Sequence, residues 1–377
     1  MTMIQKVAVH RIACSGPGDL SAVRALLSSG ELRAADIVAV MGKTEGNGCV
    51  NDHTREYASV VWSDLLAREL GCSPEEAHRR VALVMSGGTE GVLSPHFTVF
   101  SRAWVDASQA LPGKRLVIGC SQTADFAPED MGRLAQVEAT ALAVKEAMRE
   151  AGIERPEDVH FVQVKCPLLT SAKVQSCLER RVEPATRDTY ESMGYSRGAS
   201  ALGVAVALGE TDLSTLTDRD ILSDWSRFSS RASVSAGIEL EGNVVIVFGQ
   251  SSSSASEVAI DHTVMRDAVD ASSVRRMLIE RFGIDPDAPE GLTHRLVNFL
   301  AKAEASPDGK VRGSRHTMLN DSDIHSTRHA RAAVGAVLAS VAGHSALYVS
   351  GGAEHQGPPG GGPVAAIVRI DSAHSPR

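Results

Sequence analysis

Three short stretches of this chain share a serine, a glycine two residues later and a glutamate four residues later: Ser86-Gly87-Gly88-Thr89-Glu90, Ser235-Ala236-Gly237-Ile238-Glu239 and Ser350-Gly351-Gly352-Ala353-Glu354. Upstream of each, a lysine closes an apolar run: Lys43 after Ile37-Val38-Ala39-Val40-Met41-Gly42, Lys165 after Phe161-Val162-Gln163-Val164, and Lys302 after Leu296-Val297-Asn298-Phe299-Leu300-Ala301. A serine hydroxyl is a weak nucleophile until a base takes its proton, and a lysine amine is such a base when burial lowers its pKa. The small residue after each serine (Gly87, Ala236, Gly351) lets a backbone N–H approach a carbonyl oxygen as an oxyanion donor. A third recurring group is an arginine opening an alanine-rich segment: Arg55, Arg197 and Arg328. Its rigid fork of donors suits a carbonyl or enolate oxygen. Three sets of Lys, Ser-Gly/Ala and Arg match a small planar ring bearing three carbonyls.

Each feature alone is ordinary. Ser-Gly-Gly is usually a turn, a lysine after a strand is usually solvated, and an arginine early in a helix often only covers its surface. The case rests on the recurrence in fixed order. Glu90, Glu239 and Glu354 suit either orienting Lys or Ser or forming structural ion pairs, and their type does not decide between the two. Cys166 follows Lys165, but strand alternation points it away from the lysine. His325, His329 and His355 form no HxH or HExxH pair, which disfavours a metal-activated water. The glycine-rich stretch 351–363 lacks GxxxxGK and GxGxxG, so a nucleotide cradle is a weak reading.

The elements that must position these residues repeat too. Each unit reads as strand, helix, strand ending in Lys, helix opening with Arg, strand ending in Ser and a closing strand, with Thr54, Ser196 and Thr327 as candidate N-caps. The units cover 1–104, 112–250 and 255–370, joined near Leu111-Pro112-Gly113 and at Ser251 to Ser254, and the tail after Ile370 reads as frayed. The expected class is α/β, three similar units packing sheet against helices, with their polar ends converging on one pseudo-threefold axis. A formal charge of −8 without a basic cluster excludes nucleic acid as a partner. Six scattered cysteines without a CxxC pair indicate neither a disulfide framework nor a zinc knuckle. No apolar run reaches the ~18 residues a membrane span needs, and the N-terminus has no signal-peptide pattern, so the expected compartment is the cytoplasm.

With these residues in place, the stretches MGKTEGNGCVND, MSGGTEGVLSPH, VQVKCPLL, TYESMGYSRGASALG, KAEASPDGKVRG and SGGAEHQGPPGGGP together resemble the cyanuric acid amidohydrolase and barbiturase family over essentially the whole chain. The motifs are long and specific, and are closest to the branch opening cyanuric acid to carboxybiuret, which loses carbon dioxide to give biuret. The resemblance implies a pseudo-threefold barrel of three similar α/β units, a homotetramer, and substrate contacts from Arg55, Ser86, Gly87, Arg197, Ser235, Ala236, Arg328, Ser350 and Gly351. It also implies a structural Mg²⁺ held by Glu304 and by Ala353, Gln356, Gly357, Pro358 and Gly361, whose oxygens suit a hard cation. Two other readings are a barbiturase and a non-catalytic imide-binding protein, although a pure binder needs no base.

Within this frame Lys165 and Ser235 are expected to do the chemistry, with Lys43 and Lys302 supporting. Lys43 and Lys302 are followed two residues on by Glu45 and Glu304, which would favour a charged ammonium, whereas Lys165 is followed by Cys166-Pro167-Leu168-Leu169, which would disfavour it. The resemblance supports the same choice.

Overall fold

The computed structural model describes residues 2–288, 292 and 294–370; the tail expected to fray lies outside them. Three four-stranded sheets account for almost all strand residues. The first holds β1 (Met3–Ala13), β2 (Ile37–Thr44), β3 (Ala82–Gly87) and β4 (His96–Asp106); the second β5 (Arg115–Gln122), β6 (Val159–Cys166), β7 (Ala232–Ala236) and β8 (Val244–Ser251). The third holds β9 (Val258–Met265), β10 (Leu296–Ala303), β13 (Tyr348–Gly351) and β14 (Gly362–Arg369), while β11 (Lys310–Val311) and β12 (Ser314–Arg315) form a short ribbon. We call these stretches units A, B and C. Every sheet has the same order, first–fourth–second–third along the chain, and in each the second and third strands pair in parallel while the other pairs are antiparallel.

A parallel pair needs a helical crossover. It is supplied by α2 (His53–Leu70) and α3 (Pro74–Arg80) in unit A, by α5 (Ser171–Glu179) and α6 (Thr189–Ala207) in unit B, and by α8 (Ser326–Ala342) in unit C. A further helix follows the first strand of each unit: α1 (Ser21–Ser29), α4 (Leu134–Ala151) and α7 (Ala271–Phe282). Among the described residues no helix is long and apolar enough to cross a membrane.

Strand alternation explains the layers. In β8, Val244, Ile246 and Phe248 face a core shared by all three sheets, while Val245 and Val247 pack under α4 and α6 of their own unit. In β14, Ala365 and Ile367 face the shared core and Val364, Ala366 and Val368 the unit C helices. Both faces are buried, so these strands read as continuous apolar runs. Phe100 and Phe161 of two different sheets close on Phe248 at ring separations of 4.9 and 6.3 Å, joining units A and B. Truncating one such ring costs about 3–5 kcal/mol.

Candidate active site

Each lysine is the penultimate residue of the second strand of its sheet, and each serine the penultimate residue of the third or its close equivalent. The parallel register sets Lys43 opposite Ser86, Lys165 opposite Ser235 and Lys302 opposite Ser350. All six side chains are buried. Lys43 Nζ donates to Ser86 Oγ at 3.2 Å, and Lys302 Nζ to Ser350 Oγ at 3.2 Å and the Gly351 carbonyl at 3.0 Å. Lysines also reach between units: Lys165 Nζ donates to the Met85 carbonyl and Lys302 Nζ to the Val234 carbonyl, both at 2.7 Å, each acceptor being the residue before a serine. Lys43 instead lies 5.9 Å from the ring centre of Tyr348. Ser235 Oγ and Ser350 Oγ are 3.0 Å apart. The three serines therefore meet at one place.

They line a small cavity with Gly87, Ala236, Gly351, Gly48 and Met193, and with three arginines, Arg55, Arg197 and Arg331. Arg328, the expected third arginine, does not line it. The expected helix starts explain the miss. The N-caps are Asp52, Asp188 and His325 rather than Thr54, Ser196 and Thr327, and Arg197 is the ninth residue of α6, not part of its first turn. In α8 the arginine reaching the cavity lies one turn further in, at Arg331. The usable signal was the small residues directly after it: Arg331-Ala332-Ala333 parallels Arg197-Gly198-Ala199.

Two of the glutamates are held by arginines. Arg331 grips Glu90 at 2.8 and 2.5 Å, and Arg197 grips Glu354 at 2.7 and 2.6 Å, both bidentate and both between units. Such forks fix each guanidinium in one orientation. The backbone lets them in: Gly88 and Gly352 have φ of +104° and +74°, and a Cβ there would strike Arg331 and Arg197 respectively. Unit B breaks the pattern. Arg55 donates to the carbonyls of Ala236 at 2.8 Å and Cys49 at 2.7 Å, and Glu239 pairs with Lys165 at 3.2 Å.

Burial lowers the pKa of all three lysines, most for Lys43 and Lys302, where Arg331 and Arg197 respectively add to the effect. For Lys165 burial is again the largest cause, but Glu239 opposes it. This reverses the expected contrast. Glu90 and Glu354, rather than Glu45 and Glu304, are the carboxylates acting most on Lys43 and Lys302, and Lys165 is the lysine in direct contact with an acid. The reason is tertiary: Arg55 faces the Ala236 and Cys49 carbonyls and the buried Asp52 carboxylate, 3.9 Å away, and leaves Glu239 for the lysine. Cys166 is buried, and burial raises its thiol pKa, which argues against a nucleophilic role.

The residues for a cation fit one. Glu304 follows β10 directly, and burial, followed by the charge of Glu354, raises its pKa to about 7. Its Oε2 accepts from Gly360 N at 3.2 Å, and among the described residues no basic side chain forms an ion pair with it. A half-buried carboxylate beside a glycine-rich loop, whose backbone carbonyls are oxygen donors, has the ligand chemistry a hard ion needs. The Gln356 side chain is committed elsewhere: Oε1 accepts from Val234 N at 2.6 Å, and Nε2 donates to the Gly352 and Glu354 carbonyls. Gln356 would therefore offer its backbone oxygen, as would Ala353, Gly357, Pro358 and Gly361. The same loop ties to Ser229 through His355 O and Gly357 N, so it braces β7 beside Ser235.

Known proteins match this chain closely. The family of amidohydrolase ring-opening proteins matches residues 8–369. A cyanuric acid amidohydrolase of Pseudomonas sp. (strain ADP) is 60% identical over 363 residues, 96% of this chain and 99% of the relative. One from Enterobacter cloacae is 53% identical over 364 residues, 96% of this chain and 98% of the relative. Among solved structures, a cyanuric acid hydrolase superposes with a TM-score of 0.94 at 59% identity, covering 97% of this chain and all of the other. The cyanuric acid hydrolase of A. caulinodans gives 0.87 at 48% identity, covering 97% and 99%.

Proposed function

The chain belongs to the ring-opening amidohydrolases, and from that premise we propose that it hydrolyses cyanuric acid at the serine cavity, with Ser235 as nucleophile and Lys165 as its base. The observation carrying this reading is the convergence of three Lys–Ser pairs and three arginines on one cavity, each pair set by strand register. Ser235 Oγ attacks a ring carbonyl as Lys165 takes its proton, and the N–H at Ala236 faces the developing oxyanion. The C–N bond then breaks, the ring nitrogen takes the proton from Lys165, and water releases carboxybiuret, which loses carbon dioxide to give biuret. Ser86, Ser350, Gly87 and Gly351, with Arg55, Arg197 and Arg331, hold the other carbonyls.

The same repetition supports a pseudo-threefold barrel of three units with boundaries near 1–104, 112–250 and 255–370: one strand order occurs three times around a shared core. A cytoplasmic homotetramer is the assembly we propose, the tetramer being carried forward from the family resemblance.

Cyanuric acid presents the same edge every third of a turn, whereas barbiturate replaces one N–H by carbon and leaves a station unpaired. An unpaired buried polar group costs about 1–3 kcal/mol, roughly ten- to a hundredfold in kcat/KM. Measured kcat/KM should therefore favour cyanuric acid by that factor, and equal turnover of both rings would remove the three-station reading. Binding of cyanuric acid without biuret production would favour the imide binder instead.

Mg²⁺ at Glu304 and the 353–361 loop would supply structural charge neutralisation, because the site already has a nucleophile, a base and oxyanion donors. Chelation should lower the melting temperature while the initial rate of still-folded enzyme persists. Immediate loss of activity at an unchanged melting temperature, restored by metal, would contradict a structural role.

A further inference from the structure

A second set of ligand-type side chains lies across the seam between units B and C. His160 of β6 and His262 of β9 face each other with Nδ1 atoms 3.0 Å apart, and Asp261 Oδ1 lies 3.5 Å from His160 Nδ1 and 4.0 Å from His262 Nδ1. The backbone builds this arrangement. β6 is irregular between Val159 and Phe161, at His160, and β9 is an edge strand of its sheet that, among the described residues, pairs with β14 alone. Adjacent strand residues normally point to opposite faces, but Asp261 folds back along the open edge to accept the His262 N–H at 2.7 Å, which brings its oxygen beside the imidazoles.

We propose that His160, Asp261 and His262 form a site for a divalent transition-metal ion of the zinc class, stapling unit B to unit C. Zinc holds imidazole nitrogen and carboxylate oxygen at roughly 2.0–2.2 Å, which sets neighbouring ligand atoms of a tetrahedron roughly 3.3–3.5 Å apart. The observed 3.0, 3.5 and 4.0 Å bracket that spacing. Two neutral rings meeting Nδ1 to Nδ1 share one proton. Ligation by both needs that ring to shift its proton from Nδ1 to Nε2, so each imidazole stays neutral and no proton is lost from the pair. The side chains are 11%, 16% and 18% exposed, close enough to the surface for an ion to enter and for water to complete the shell.

The neighbours limit affinity without closing the site. Arg281 Nε approaches the other oxygen of Asp261 at 3.7 Å, leaving Oδ1 toward the imidazoles, and the charges of Arg231 and Arg281 act on His262 from the surrounding elements. Imidazole ligands favour zinc, copper or nickel over magnesium, so this site is chemically distinct from the oxygen donors around Glu304.

The test uses the full-length enzyme saturated with Mg²⁺, to which Zn²⁺ alone is added. Calorimetry should show one equivalent bound and a melting temperature that rises with Zn²⁺, and Co²⁺ in its place should give the visible bands of a tetrahedral nitrogen-ligated centre. His262→Asn and His160→Asn, each checked by circular dichroism, should weaken Zn²⁺ by at least about tenfold and lose the Co²⁺ bands, with cyanuric acid turnover unchanged. If one variant fails to fold, the other decides. Undiminished Zn²⁺ affinity in the folded variant, or no stoichiometric binding by the unmodified enzyme, would overturn the site whatever the outcome for the catalytic reading.

Discussion

Units A and C treat their lysines one way and unit B another. Lys43 and Lys302 donate to the serines opposite them, and the nearby glutamates Glu90 and Glu354 are held by Arg331 and Arg197. Lys165 stands opposite Ser235 in the same register, yet among the described residues its contacts run to the Met85 carbonyl and to Glu239. Three near-copies of one backbone thus carry two electrostatic arrangements. A repeated fold supplies a near-symmetric cavity, and one station differs: Arg55 bonds the Ala236 and Cys49 carbonyls while Glu239 pairs with Lys165. That difference gives unit B what the others lack: a carboxylate in contact with its lysine, itself lining a groove along α2 and α3.

The sharpest way to break the comparison is to remove one pair at a time. Lys165→Ala and Ser235→Ala should each lower kcat on the order of 10⁴-fold or more with folding intact, as expected when nucleophile and base act as a unit. Ser86→Ala and Ser350→Ala should cost far less, on the order of 10²-fold, because in the proposed mechanism those residues only hold carbonyls. Mass spectrometry of stalled enzyme should place any acyl group on Ser235; an acyl group on Ser86 or Ser350 would transfer the chemistry to another unit.

A smaller effect separates the two arginines of α8. Arg331→Ala should lower kcat/KM on the order of 10²-fold, and Arg331→Lys should recover little, since a point charge cannot reproduce the bidentate grip on Glu90. Arg328→Ala should stay within about threefold, because Arg328 does not line the cavity. Comparable losses at both positions would mean that the third station is shared along the helix face.

How far these roles were legible depends on the distance over which they are decided. Strand identity and the Lys–Ser pairing follow from local pattern: a β-rich run ending in lysine and a Ser-x-Gly-x-Glu turn recur in order, and parallel register does the rest. The arginine positions were only half legible, because alanine-rich helices show where a helix runs more clearly than where it starts. The three caps lie two to eight residues before the expected ones, so counting from a supposed first turn selected Arg328 over Arg331. Partner choice for Glu90, Glu239 and Glu354 was not legible, since in two of the three cases the partner comes from another unit. The cluster of His160 with Asp261 and His262 was equally hidden: its halves are about a hundred residues apart and meet only where two sheets pack.

The finest test is the pH dependence set by Glu239. Burial lowers the Lys165 pKa, Glu239 raises it, and Arg55 lowers it again, with a smaller raising effect from Cys166. Burial opposes ionisation of Glu239 itself, but Lys165 and Arg55 outweigh it and hold the carboxyl below its ordinary range, so it is charged at neutral pH. Glu239→Gln keeps the shape and removes that charge. The one raising influence of any size on Lys165 then disappears, its pKa falls further, and the amine is neutral at lower pH. The acid limb of kcat/KM, which reports the free enzyme, should therefore move to lower pH by about 1 unit. In the same profiles Glu90→Gln, whose carboxylate is held by Arg331, should move that limb little, because Lys43 is not the base in the proposed mechanism. A shift to higher pH in Glu239→Gln, or an equal shift in both variants, would show that Lys165 does not govern the limb and that the asymmetry of unit B is structural.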